Sequence, residues 1–405
     1  MQYKLIAKCL FGLEKTLAYE VRSCGGTDTV IDNGAVMFTG DERVIAVCNM
    51  ACRVAERVGI LLGRFPACTF DEVFDYVRGV DLRGVIERGG AFPVKAGHSL
   101  DSALTSIPAI QRTIKKALAE NLSLRGVPKD AFDDIEALRG GGGSGSGGAG
   151  KSRPGGTVDE SGAVYPVVFN IRKNIMELYI DTSGDSLHKR GYRQAPSTVS
   201  APLRETLAAG IIDLCRVKAG TQLIDPFCGS GTILIEAALK VRRIPPCLNR
   251  DFTSVHFRGF GRHYRSAREE LRDNIITDTG EAVPVGYDND PAAVAVALAN
   301  ARAAGVTIDV TLRDIRDFAY SGGSGAVVVT NPPYGERLST PAEVAELYGI
   351  AGGAFADCPG IAGVNILSPQ DDFCALYNKH RTLQTDFRNR KLYNGALQVR
   401  LYSSK

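Results

Sequence analysis

A short loop, Asn331-Pro332-Pro333-Tyr334-Gly335, combines an amide side chain, two prolines and an aromatic ring. Proline has no backbone N–H, so the loop offers carbonyl acceptors with few competing donors, and the Asn331 side chain adds one more acceptor. Such acceptors suit the two N–H bonds of a planar amine, whose lone pair they would direct toward an electrophile. The Tyr334 ring could stack on an extruded base. The loop therefore predicts chemistry at an exocyclic amino group.

A second motif predicts a cofactor loop. It lies between a predicted buried strand at 221–224 and a predicted helix at 233–241, and reads Asp225-Pro226-Phe227-Cys228-Gly229-Ser230-Gly231-Thr232. Glycines there allow a sharp turn and close approach of a ligand to the backbone at the carboxyl end of a strand. No Gly-Lys-Ser/Thr follows, which excludes a phosphate P-loop.

Acidic residues end the next two predicted strands. Asp288 follows the strand at 283–287, where a carboxylate can accept both ribose hydroxyls of a nucleoside cofactor, whereas Asp290 is expected to cap the helix that begins at Pro291. Asp314 follows the strand at 307–312 and is either an acceptor for an adenine amino group or an ordinary loop aspartate. Asp225 and Asp288 are 63 residues apart (288 − 225), against about 20 in a simple dinucleotide fold, so an insertion must lie between them.

The surrounding pattern predicts the elements that position these motifs. From Ser197 strands alternate with helices, which indicates βαβ units and a parallel sheet. Further strands are predicted at 326–330 and 364–367, and a hairpin at 391–393 and 397–402 around Asn394-Gly395. The first residues predict an α+β unit with strands 3–10 and 34–40 and helices 12–24 and 41–55. A second α+β block follows, with strands 58–64, 92–96, 164–169 and 175–180 and helices 70–77, 81–88 and 107–122.

The insertion is basic. Residues 240–275 carry nine Lys or Arg against four acids, with four aromatic residues interleaved: Phe252, Phe257, Phe260 and Tyr264. Basic groups can meet phosphates while aromatic rings stack on bases, which would make this segment an RNA surface. A surface subdomain whose aromatic residues form its own core is the alternative.

Composition excludes several classes of protein. No apolar run is long enough to cross a bilayer, and the first ten residues alternate like a strand instead of forming a signal peptide. The ten cysteines form no Cys-x-x-Cys pair and the five histidines have no ligand spacing, so we expect reduced thiols, a cytoplasmic location and no metal. A glycine-rich run at 140–156 is expected to be a flexible insertion, either natural or engineered.

The motifs together resemble class I methyltransferases that use S-adenosylmethionine (SAM) to methylate exocyclic amines. The segments Gly184 to Arg193, Ala201 to Ala209 and Ser102 to Pro108 are similar to the THUMP-containing RNA guanine-N2 methyltransferases, and most similar to the bacterial group acting on 23S ribosomal RNA. The resemblance implies an α/β, Rossmann-like methyltransferase domain with a mostly parallel seven-stranded sheet. An α+β ferredoxin-like unit and an RNA-gripping THUMP domain would precede it.

We therefore expect three domains: a ferredoxin-like unit at 1–56, a THUMP domain at 57–184 with the glycine-rich insertion, and a catalytic domain at 185–405 with a basic insertion at 240–280. The resemblance assigns the base-presenting role to Asn331, Pro332, Pro333 and Tyr334. It assigns SAM binding to Asn331 and to Asp225, Phe227, Gly229, Gly231, Thr232, Asp288, Asp314 and Pro202. The expected partner is 23S ribosomal RNA, with transfer RNA second, and no membrane or metal is expected. Adenine-N6 methylation of DNA and a non-catalytic RNA-binding assembly factor stay open as alternatives.

Overall fold

The structure, a computed structural model, describes residues 1–82, 85–87, 90–95, 97–124, 162–193, 203–277, 282–334 and 340–404. The N-terminal half contains, in chain order, β1 (Tyr3–Cys9), α1 (Glu14–Ser23), β2 (Thr27–Asp32), β3 (Ala35–Gly40), α2 (Glu42–Ala51), β4 (Ala55–Pro66), α3 (Phe70–Gly79), β5 (His98–Leu100), α4 (Ile107–Leu124), β6 (Val167–Arg172) and β7 (Ile175–Asp181). The glycine-rich run at 140–156 lies outside the described residues.

The C-terminal half contains α5 (Glu205–Leu214), β8 (Leu223–Asp225), α6 (Thr232–Val241), α7 (Phe260–Asp273), β9 (Val285–Asp288), α8 (Pro291–Ala304), β10 (Asp309–Leu312), β11 (Ala326–Thr330), α9 (Pro341–Ala356), β12 (Ile361–Ser368), α10 (Phe373–Tyr377), β13 (Phe387–Asn394) and β14 (Leu397–Ser404). Short 3-10 helices cover Thr253–His256 and Ile315–Asp317.

One continuous sheet spans the whole N-terminal half, in the strand order β2-β3-β1-β4-β7-β6-β5. Its central strand, β4, pairs antiparallel with β1 on one side and with β7 on the other. The boundary expected at residues 56 and 57 falls inside β4, so the two N-terminal units share this strand.

Two elements expected in this half were wrong. The described part of the helix expected at 81–88, residues 81–82 and 85–87, is not helical. Val85 lies in a turn and Ile86 in a bend, because these two β-branched residues between glycines disfavour a helix. Among its described residues, 92–95, the strand expected at 92–96 makes the isolated bridge Val94–Val167, beside the bridge Ala91–Val164, since Pro93 has no N–H to extend a ladder.

The C-terminal sheet has the strand order β10-β9-β8-β11-β12-β14-β13. Four neighbouring pairs from β10 to β12 are parallel, and the last two pairs are antiparallel. This confirms the predicted mostly parallel seven-stranded sheet. The hairpin is confirmed as well, with Gly395 at a φ of +66° in its turn. The strand order reverses at β8, which is flanked by β9 and β11, and ligands of such sheets bind outside the carboxyl ends of the strands at this point.

The basic insertion joins the two halves. Its four aromatic residues are 2–3% exposed: Phe252, Phe257, Phe260 and Tyr264. Helix α7 packs on α2 of the N-terminal half. The aromatic rings are therefore core, and the alternative in which they stack on RNA bases was wrong, because rings this buried have no free face.

Within the described residues, no helix has both the length and the apolar character that a membrane crossing requires.

Candidate active site

The glycine motif forms the turn between β8 and α6. Gly229 and Gly231 have φ values of +52° and +76°, the left-handed region that glycine adopts without strain. A Cβ at Gly231 would also lie 3.0 Å from the Cβ of Ala297 on α8. The turn therefore requires glycine at Gly231 twice over, once for its backbone angle and once for the close packing of α6 on α8.

Asp225, the last residue of β8, is 1% exposed and links the motif to the neighbouring strand. Its Oδ1 accepts a hydrogen bond from the Thr330 hydroxyl at the end of β11 (2.6 Å) and one from the Phe227 backbone N–H (3.2 Å). Burial raises the pKa of the Asp225 carboxyl to about 7, against these hydrogen bonds, which lower it. Asp225 thus holds the carboxyl ends of β8 and β11 together.

Asp288 ends β9 beside the glycine turn. Its Oδ2 accepts the Gly229 N–H (2.8 Å) and its Oδ1 accepts the Asp290 N–H (3.0 Å). A carboxylate oxygen can accept two hydrogen bonds, so each keeps capacity for a further donor such as a ribose hydroxyl. Asp290 caps α8 as expected, because its Oδ1 accepts the Ala292 N–H (2.8 Å).

Asp314 lies just beyond β10, whose last residue, Leu312, pairs with Asp288. Its carboxylate caps the 3-10 helix at Ile315–Asp317 by accepting the Arg316 N–H (2.9 Å), and it also pairs with the Arg316 guanidinium (3.3 Å). The side chain is therefore near the site but already bonded locally. Its role toward an adenine stays a prediction.

The Asn331 loop leaves β11 at the same edge of the sheet. Pro332 is buried, Asn331 and Pro333 are partly exposed, and the Tyr334 hydroxyl donates to the Asn331 Oδ1. Burial raises the pKa of Tyr334 well above its usual value, so the hydroxyl remains a donor. In this arrangement the tyrosine takes one of the two acceptor positions of the Asn331 oxygen and leaves the other for a substrate amine.

Thr232, which follows the glycine turn, is buried and faces the protein. Its hydroxyl accepts from the Arg193 guanidinium (2.6 Å) and lies 3.1 Å from the Ser230 hydroxyl. Arg193 also pairs with Glu205 on α5 (3.2 Å). Arg193 and Thr330 are positioning residues to which the sequence assigned no role. The only sequence signal for either role was that a polar residue lies close to a motif.

Phe227 is partly buried against the hydrophobic core of the catalytic half, which includes Ile224 and Val328. Pro202 lies outside the described residues.

The geometry suits a nucleoside cofactor. The ends of β8, β9 and β11 meet at the strand-order reversal, where a close-packed glycine turn lies beside a half-buried carboxylate with unused acceptor capacity. The profile of the RMKL-like methyltransferase domain matches residues 190–402, and that of the RlmL ferredoxin-like domain matches residues 4–59. The chain belongs to the RMKL-like methyltransferase family.

Two relatives of this RMKL-like protein illustrate the match. YpsC of Bacillus subtilis, named as a candidate RNA methyltransferase, is 35% identical over 99% of this chain and 95% of its own length. The ribosomal RNA large subunit methyltransferase K/L of a Marinomonas species is 29% identical over 85% of this chain. The match spans 45% of that longer protein.

Solved structures agree with the RMKL-like fold. SMU.472, a methyltransferase by its description, was crystallised with SAH; it has a TM-score of 0.84 and 32% identity, covering 99% of this chain and 97% of that one. A Listeria monocytogenes protein, described as a predicted N6-adenine-specific DNA methylase, has a TM-score of 0.82 and 34% identity, covering 100% and 96%. The cofactor of this RMKL-like protein is SAM.

Proposed function

We propose that this protein methylates the N2 amino group of a guanosine in large-subunit ribosomal RNA. The observation that carries the proposal is the 2.6 Å hydrogen bond between Thr330 and Asp225. It fastens the residue before the Asn331 loop to the first residue of the glycine motif, so an amine-presenting loop and a cofactor turn form one unit. The relatives named for RNA methylation support RNA as the substrate.

When bound, SAM supplies a methyl group on a sulfonium centre. Asp288 would hold the ribose, the Gly229 to Gly231 turn would lie against the methionine part, and Asp314 would accept from the adenine. Pro202 and Phe227 are proposed to complete the cofactor site.

The Asn331 loop would orient the nucleophile. The Asn331 Oδ1 and the Pro332 carbonyl would accept the two amine hydrogens, while the prolines present no competing N–H. Held in this way, the nitrogen lone pair is directed at the cofactor instead of into the base ring. The Tyr334 ring would stack on the extruded base, and in doing so its hydroxyl would leave the Asn331 oxygen.

We infer that residues 57–184 act as a THUMP domain that grips the RNA, with the ferredoxin-like unit before it and the catalytic domain at 185–405. The two N-terminal units share one sheet, and α2 of that half packs on α7 of the catalytic half, which supports a fixed spacing between the RNA-binding domain and the active site. A cytoplasmic location follows from a ribosomal RNA substrate.

The test is transfer of labelled methyl from SAM to large and small RNA from a strain that lacks the protein, followed by nucleoside analysis. We expect N2-methylguanosine in large ribosomal RNA. Label only in transfer RNA would keep the chemistry and change the substrate, and N6-methyladenine in duplex DNA would favour the chemistry named for the Listeria protein. No labelled nucleic acid, together with no SAM binding, would leave a non-catalytic RNA-binding protein.

A further inference from the structure

Three buried thiols converge in the N-terminal half, far along the chain from the active-site motifs. Cys24, Cys48 and Cys52 are at most 9% exposed, and their sulfur atoms lie within 4.8 Å of one another. The sulfur atoms of Cys24 and Cys52 are 3.9 Å apart. We propose that these three cysteines form a zinc site that braces the junction between the two halves of the protein.

The sulfur spacing suits a shared metal ion. With Zn–S bonds of about 2.3 Å, two thiolates on one zinc are about 3.8 Å apart in a tetrahedral site and about 4.0 Å apart in a trigonal one. The 3.9 Å separation falls between these values. The separation excludes a disulfide, which needs about 2.05 Å, and it is compatible with two thiolates on one metal ion.

The helices present the thiols in a regular way. Cys48 and Cys52 are four residues apart on α2, so their side chains share one face, and the Cys52 N–H donates to the Cys48 carbonyl (3.1 Å). Cys24 directly follows the last residue of α1, and Cys52 directly follows the last residue of α2. The carboxyl ends of two helices therefore meet at this cluster, and each places one thiol there.

A cavity beside Cys24 would let the ion reach the thiols and would supply water as its fourth ligand. Cys24 lines a cavity of about 680 Å³ between the two halves of the protein. Water in this cavity would complete a tetrahedron. The walls carry four cationic side chains, Lys15, Arg53, Lys240 and Arg390, against two carboxylates, Glu20 and Asp213. This excess of positive charge offsets the single negative charge that three thiolates leave on Zn²⁺.

Binding would convert three thiols into thiolates, release three protons and form three Zn–S bonds without any change of oxidation state. The consequence is mechanical, because α2, which supplies two ligands, packs on α7 of the catalytic half. The spacing Cys-x-x-x-Cys is a weak signal by itself, and the third ligand comes from another helix, so the sequence alone predicted no metal.

The first test is elemental analysis of the full-length protein expressed with zinc and purified without chelators. We expect about one zinc per chain, lost in Cys24→Ser and in Cys48→Ser. Cys9→Ser is the matched control, since Cys9 is a buried thiol of the same half outside the cluster, and it should keep the metal. Zinc retained in Cys48→Ser would place the ion elsewhere and overturn the proposal.

A second test needs no variant. Wild-type protein stripped of metal and titrated with Co²⁺ should develop a thiolate-to-cobalt charge-transfer band that saturates at one equivalent, and restoring zinc should raise its melting temperature. If no charge-transfer band develops and the melting temperature does not change, the thiols are only packed together. A Cys24–Cys52 disulfide, detected by mass spectrometry as the loss of two hydrogens, would make the pair a redox site. Either result refutes the zinc site.

Discussion

Asn49 on α2 and Tyr264 on α7 are joined by a hydrogen bond of 2.9 Å between the Asn49 Nδ2 and the Tyr264 hydroxyl. Asn49 also contacts Thr182 and Ser183 at the end of β7, and Tyr264 contacts Ser254 in the insertion. All five side chains are buried. The basic insertion is therefore fastened to the N-terminal half through a fully buried polar network.

Tyr264→Phe should lower the free energy of unfolding by about 1–3 kcal/mol, because it removes the two buried hydrogen bonds that the Tyr264 hydroxyl makes with Asn49 and Ser254. Urea unfolding measures the effect. Tyr19→Phe is the control, since the Tyr19 side chain is 69% exposed, and it should change little. Equal stability of both variants would contradict a structural role for the network.

Asn331→Ala should reduce kcat by about 10²–10³-fold while SAM affinity stays near that of the wild type, because in the proposed mechanism the amide orients the amine and does not hold the cofactor. Single-turnover methylation and calorimetric titration with SAM give the two values. Parallel loss of both would assign Asn331 a structural role instead.

Tyr334→Phe keeps the ring and removes the hydroxyl that occupies the Asn331 oxygen. One hydrogen bond of about 1 kcal/mol no longer has to be broken, so KM for RNA should fall roughly five-fold. Tyr334→Ala also removes the stacking surface and should raise KM. Steady-state kinetics on the identified RNA distinguishes the variants, and a raised KM in Tyr334→Phe would speak against displacement of the hydroxyl.

Asp288→Ala should weaken SAM binding by roughly 10–100-fold, since it removes the proposed ribose acceptor and the partner of the Gly229 N–H. Asp290→Ala, two residues away, removes only the helix cap and should cost about 1 kcal/mol of stability with unchanged SAM affinity. If Asp290→Ala weakened SAM binding as much as Asp288→Ala, the division of roles between the two carboxylates would be wrong.

Asp225→Asn should change how stability depends on pH. The unfolded chain releases the Asp225 proton near its usual pKa of 3.8, whereas the folded chain releases it near 7. Between these values the folded state binds more protons, so wild-type stability falls as pH rises through this window, by up to about 4 kcal/mol.

Asparagine keeps the acceptor for Thr330 and has no proton to lose. The two proteins should therefore be similar in stability near the lower pH limit, and the variant should be the more stable above pH 7. Urea unfolding near pH 4 and above pH 7 measures the difference in stability between the two proteins. A difference that does not change with pH would contradict a raised pKa of Asp225.

The catalytic half was easier to predict from sequence than the N-terminal half. Strand 326–330 matches β11 residue for residue, and the Asp290-Pro291 signal marks the start of α8. Both depend on local rules, a run of buried β-branched residues and a capping side chain. The pairing of the segment around Val94 depends on partners about 70 residues further along the chain, so local sequence could not predict it.

Burial of the insertion aromatics shows the same limit. A pattern of basic and aromatic residues is the same whether the rings face RNA or another domain. Tyr264 is core only because α2 covers it, and α2 lies more than 200 residues earlier in the chain. The Thr330–Asp225 bond, with 105 residues between its ends, was likewise invisible without the fold.

Strand β4 sets an order of events during synthesis. It leaves the ribosome soon after β1, but its second partner, β7, begins at Ile175, so one edge of β4 must wait while more than a hundred further residues are made. An unpaired edge is a template for wrong pairing with other chains. Its exposed and half-exposed residues, among them Arg57 and Arg64, place charge along that edge and would discourage association of nascent chains until β7 arrives.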